Sequence, residues 1–131
     1  MNLTENFNKI EFESKDGSKM PDYVLENIKE LSRNLQVLRD YTGKPVHITS
    51  GYRSPEHNKR VGGVSHSYHT RGMASDIVIR DYTPKKLVRV IEKLIKQGKM
   101  KQGGIGLYNS FVHYDIRGTK SRWDNSSLFN F

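Results

Sequence analysis

Two pairs of residues in this chain have side chains suited to gripping a metal ion. His69 and Asp76 lie seven positions apart in Ser67-Tyr-His-Thr-Arg-Gly-Met-Ala-Ser-Asp76, with Gly72 and Ala74 between them. His113 and Asp115 lie two apart in Phe-Val-His-Tyr-Asp-Ile. After Asp76 the chain turns apolar and β-branched at Ile77, Val78 and Ile79, which predicts a buried strand with Asp76 at its start. Alternate residues of a strand share a face, so His113 and Asp115 are expected to look in one direction. Three ligands of the His-Asp-His type, with a further position left to water, are what a catalytic zinc site needs. A zinc held among these four residues is the working expectation.

The remaining chemistry-bearing residues are weighed against that centre. The chain has no cysteine, so disulfides and thiolate zinc sites are excluded. Any metal must be held by His, Asp or Glu, which leans toward a catalytic site. Gly62 and Gly63 permit close backbone approach, and Gly72 and Ala74 leave space beside an ion. His66 is a poorer ligand than His69, which stands in better relation to Gly72 and Asp76. His47 reads as a structural strand residue and His57 as a surface one. Arg53 follows a strand through Ser50-Gly51-Tyr52. A guanidinium placed there can grip a carboxylate or meet an oxyanion, although a solvated arginine is the plainer reading.

These residues must be positioned by surrounding elements. From Pro21 to about Tyr41, apolar residues at Val24, Ile28, Leu31, Leu35 and Leu38 follow intervals of four, three, four and three. That spacing predicts one helical face, started at Pro21 and stopped at Gly43. Pro45 to Thr49 reads as a short strand, and Pro55 to Arg60 as a short helix. Thr83-Pro84 caps a second long helix, whose stripe is Leu87, Val88, Ile91, Leu94 and Ile95 and which ends near Gly98. Gly103 to Tyr108 and Phe111 to Ile116 form a predicted hairpin around Asn109-Ser110. Phe7, Ile10 and Phe12 are expected to anchor the N-terminal segment. Arg117 to Phe131 is polar apart from Trp123, Leu128, Phe129 and Phe131, with Trp123 folding back on the rest. The order predicts an α+β fold: a small, mainly antiparallel sheet packed against two main helices, in one domain spanning 1–131.

Composition bounds the partners. With 34% hydrophobic and 27% charged residues, the 131-residue chain reads as globular, and no apolar run approaches a membrane span. Lysine and arginine outnumber acids 22 to 14, for a net charge of +8. Such a surface favours polyanions: nucleic acid, anionic membrane or an acidic wall polymer. No recognised motif interleaves aromatic with basic residues, so nucleic acid is not the expected partner. The first residues have neither a basic nor an apolar signal region. If the chain works at a cell wall, delivery by another route, such as phage-mediated release, is therefore expected.

Taken together, the motifs resemble a known family. Thr49-Ser50-Gly51-Tyr52-Arg53-Ser54, Asn58, Val61-Gly62-Gly63 and Ser-x-His-x-x-Gly-x-Ala-x-Asp are similar to the zinc D-alanyl-D-alanine carboxypeptidases and related peptidoglycan endopeptidases. Gly-Gly-Ile-Gly-x-Tyr, Phe-Val-His-x-Asp-x-Arg-Gly, Arg122-Trp123 and Met20-Pro21 fit the small phage- and bacteria-borne branch. The resemblance implies that His69, Asp76 and His113 bind Zn2+, that Arg53 stabilises the transition-state oxyanion and that Ser67 and Arg53 contact substrate. It also implies the small α+β fold shared with the hedgehog signalling domain and a peptidoglycan peptide as substrate; a monomer is expected. One position departs. Many relatives have an acidic general base three residues before the last histidine ligand, where this chain has Ser110. Asp115 is the best remaining acid, either as the base or as a partner that orients His113. A peptidase is thus the expectation, and a non-catalytic zinc-containing wall-binding module the alternative.

Overall fold

The computed structural model describes residues 1–127. Helix α1 spans Asp22–Thr42, and its five predicted apolar positions are all fully buried. Each such burial contributes on the order of 2 kcal/mol, so this face alone anchors the helix to the sheet. Pro21 is the residue capping α1, one position earlier than expected, and Gly43 closes it. Strand β1 (Val46–Ser50) and the short helix α2 (Pro55–Arg60) follow. A 3-10 turn over Tyr68–Arg71 leads into β2 (Ala74–Ile79). Helix α3 (Pro84–Lys96) is capped by the Thr83 side chain, and buries Leu87, Ile91 and Leu94. Strands β3 (Gly104–Leu107) and β4 (Val112–Asp115) form the predicted hairpin, and β5 (Ser121–Asp124) follows.

The five strands lie in the order β1-β2-β4-β3-β5, antiparallel except for the β3–β5 pair. This is the expected α+β arrangement. In the β2–β4 register Asp76 stands opposite His113, which brings the two motifs together. Asp76 is the third residue of β2 and not its forerunner, because Ala74 and Ser75 already pair with β4.

Two expectations need revision. Phe7 and Phe12 are buried, but Ile10 is 72% exposed. It falls in a 3-10 turn (Lys9–Phe12) that Asn8 and Glu11 cap reciprocally, and the turn directs only Phe12 inward. The polar tail adds a fifth strand. Arg122 holds it there by pairing through two nitrogens with Glu92 of α3, at 2.8 Å each, while also donating to the Gly103 and Ser121 carbonyls. Leu128, Phe129 and Phe131 lie outside the described residues. Among those described, no helix is long and apolar enough to cross a membrane.

Candidate metal centre and its cleft

His69, Asp76 and His113 meet on the floor of a cleft of about 680 Å³. Each offers one ligand atom, and these atoms all lie within 4.8 Å of one another. His69 arrives on the 3-10 turn, whose capping residue, Ser67, accepts the His69 backbone N–H with its Oγ at 3.1 Å. Asp76 and His113 come from adjacent strands. All three are buried, with His113 the most open at 8%.

The hydrogen bonds decide what this cluster is built to hold. His69 Nδ1 lies 2.8 Å from the Gly51 carbonyl, which can only accept, so Nδ1 carries the proton and Nε2 presents a lone pair. His113 Nε2 lies 2.7 Å from Asp115 Oδ2 and donates to that carboxylate, which leaves Nδ1 as the lone pair. Those two lone pairs face Asp76 Oδ1 at 3.3 and 3.5 Å. Three electron-rich atoms therefore converge with no hydrogen of their own between them. A cation satisfies that arrangement. Two imidazole nitrogens, one carboxylate and no thiolate suit a zinc that keeps a position for water or substrate.

The ionisation of the metal-free cluster reflects the same crowding. Burial alone would raise the Asp76 carboxyl, but its bonds to His113 and His69 outweigh this and hold it well below the usual range. Burial would lower the His113 imidazolium, yet Asp115 and Asp76 hold it above its ordinary value. A proton on His113 thus competes for the place that a metal would take.

Asp115 is fully buried behind the His113 ring. Its Oδ1 accepts the Gly104 and Arg117 backbone N–H groups and Arg117 Nε, and its Oδ2 accepts Arg117 Nη2 as well as His113 Nε2. Burial would raise its pKa, but the bonds to His113 and Arg117 dominate and hold it low. The two side chains do share a face, but Asp115 is not among the residues that line the cleft. This geometry suits a partner that orients His113. Ser110 is exposed on the turn before β4.

Arg53 does reach the centre. Its Nη2 lies 3.3 Å from Asp76 Oδ2, while Nη1 and Nε are held by Asn58 Oδ1 and Ser50 Oγ at 3.2 Å each. The plainer reading of a solvated arginine does not hold, because these three bonds tie the guanidinium down. His47 is exposed, His57 is half-buried on α2, and His66 sits at the cleft rim with a φ of 60°.

The model of the peptidase M15 family matches residues 3–115. This chain is a member of the peptidase M15 family. No curated protein matches it. M15 peptidases depend on a metal, typically zinc, and the His-Asp-His cluster of this member provides the corresponding donors.

Sequence reasoning gave no task to several residues of the M15 cleft. Tyr108, Phe111 and Trp123 form one wall, and Arg117 lies over the Tyr68 ring at 4.3 Å. The single tryptophan in a polar tail was the available signal for the wall. Nothing in the sequence indicates that the Gly51 carbonyl orients His69.

Proposed function

We propose that this chain is a zinc peptidase that hydrolyses peptide bonds in the stem or cross-link peptides of peptidoglycan. The observation that carries the reading is the convergence of His69 Nε2, Asp76 Oδ1 and His113 Nδ1, with the other nitrogen of each ring already committed. When bound, zinc supplies Lewis-acid polarisation of a carbonyl and acidification of water. The chain's own residues do the rest. Gly51 and Asp115 hold the two imidazoles in the required tautomers and orientations. Arg53, fixed by Ser50 and Asn58, meets negative charge developing on the scissile carbonyl oxygen. Ser67, whose oxygen caps the 3-10 turn, keeps its O–H for the peptide. Whether the bond is terminal or internal is decided by the products.

One observation favours the second reading, a non-catalytic zinc-containing wall-binding module. Among the described residues, Asp76 is the only carboxylate lining the cleft, since Asp115 is buried and position 110 is a serine. Metal content by mass spectrometry on wild type and His69→Ala, paired with digestion of purified muropeptides with and without chelator, separates the two. One zinc per chain, with cleavage products that vanish in the variant and with chelator, supports the peptidase. Zinc without products moves the assignment to the binding module. No zinc at all overturns both.

A further inference from the structure

One wall of the cleft is an aromatic assembly to which the proposed reaction assigns no task. Trp123 of β5 lies beside Gly106 of β3, and a Cβ at position 106 would collide with the indole. The glycine lets the indole lie across the strand. There it packs tilted against His113, with ring centroids 4.8 Å apart, and donates its Nε1–H to the Tyr108 hydroxyl at 3.0 Å. The Tyr108 ring is in turn stacked on Phe111, at 4.3 Å and 12°. An indole N–H only donates, so the Tyr108 oxygen is the acceptor in this bond. The phenolic hydrogen then needs an acceptor of its own, and none of the described residues provides one. Tyr108, Phe111, His113 and Trp123 all line the cleft. Held by the stack on one side and the indole on the other, the phenol is oriented before any ligand arrives, which lowers the cost of ordering it.

We propose that Tyr108 is a substrate-binding residue whose hydroxyl, held by Trp123, donates a hydrogen bond to a carbonyl or carboxylate oxygen of the peptide in the cleft. Trp123 is the positioning residue. The assignment rests on the peptidase reading of the same site, and its test separates the two. Tyr108→Phe keeps the stacked ring and deletes only the hydroxyl, while Trp123→Phe keeps an aromatic ring against His113 and deletes the N–H.

Zinc-loaded wild type and variants are mixed in stopped flow with a purified stem peptide ending in a free carboxylate, and separately with its carboxamide. Trp123 is the sole tryptophan, so its emission reads binding before turnover. Steady-state hydrolysis then gives kcat and KM. Tyr108→Phe weakens the peptide Kd about five- to tenfold, the worth of one hydrogen bond, with zinc content unchanged and kcat within about twofold. Trp123→Phe, which lacks the reporter, is read through KM and raises it severalfold. The double variant is no worse in KM than Tyr108→Phe, because both changes remove one device. Weakening confined to the free acid assigns the acceptor as the terminal carboxylate, and equal weakening on both peptides assigns a backbone carbonyl. A Tyr108→Phe protein that binds within about twofold of wild type overturns the proposal, as do losses that simply add in the double variant. If wild type binds the peptides but cleaves neither, the peptidase reading fails alone and the Kd values still judge Tyr108. If wild type neither binds nor cleaves, both fall.

Discussion

Each candidate ligand histidine is held by its second nitrogen, and the two holders differ in kind. His69 rests on a neutral carbonyl, His113 on a buried carboxylate that is itself clamped by Arg117. Asp115→Asn is therefore expected to weaken zinc affinity about 10- to 100-fold, as loss of an orienting partner does. It also leaves Arg117 half-buried without its counter-ion, at a cost of about 3 kcal/mol. Zinc titration with a competing chelator and urea unfolding read the two effects. Intact zinc affinity with abolished turnover would instead restore Asp115 as the base. The pH dependence follows from the same bonds. In the metal-free chain His113 titrates above the usual 6.5, so zinc must displace its proton. Apparent zinc affinity accordingly climbs about tenfold per pH unit below that raised pKa and then levels off. For the fold itself the signs oppose. The His113 contribution is full below pH 6.5 and is lost as pH rises through the raised value. The Asp115 contribution is full above 3.8 and is lost as pH falls through its lowered value. Melting of chelated protein across pH checks both limbs. The four candidate residues were legible because metal chemistry restricts residue type. Which of the two acids faces the centre came from the family resemblance alone, since strand alternation places Asp76 and Asp115 without saying which lies behind a ring.

The elements divide by how local their cause is. Helices α1 and α3 could be read from spacing because each has an apolar stripe whose period is its own. Strand β5 could not, because Arg122 meets Glu92 from 30 residues away and the strand itself is half-exposed. Likewise Ile10 looked like an anchor by hydrophobicity, and only the capped 3-10 turn shows that it faces water. The loop after β1 has the sharpest consequence for the site. Gly51 lies so close to the N-terminal segment that a Cβ there would sit 2.7 Å from Phe12 Cα. Its neighbour Tyr52 donates a backbone bond to the Phe12 carbonyl at 2.8 Å, which fastens the loop to that segment. Gly51→Ala must therefore push backbone against backbone, at a cost of about 1–3 kcal/mol. The shift moves the carbonyl that orients His69, so zinc affinity is expected to fall together with stability. Calorimetric melting and zinc titration of this variant check the coupling, and a loss of stability with unchanged zinc affinity would uncouple the loop from the centre.

For the whole molecule, the largest feature left unexplained by fold and site is the charge of +8. Charge alone does not choose among polyanions, which is why the partner was not legible from composition. The structure shows where much of it lies: Lys85, Lys86, Arg89, Lys93 and Lys96 are exposed on α3. Glu92, the one acid in that helix, is occupied by Arg122. Under the proposed function, the substrate is embedded in a wall rich in anionic groups, so this field would act on encounter and not on the bond-breaking step. Such steering is screened by salt, with a Debye length of about 8 Å at physiological ionic strength. Hydrolysis of intact anionic sacculi is therefore expected to slow about three- to tenfold between ~20 and ~300 mM salt, while a short soluble stem peptide is cleaved at nearly constant rate. Reversing Lys85, Lys86 and Arg89 to glutamate should flatten the salt dependence on sacculi and leave the soluble peptide unaffected, since none of the three lines the cleft. If salt slows both substrates alike, the charge acts at the centre through Arg53 and its partners, and the α3 face is only a solvated one.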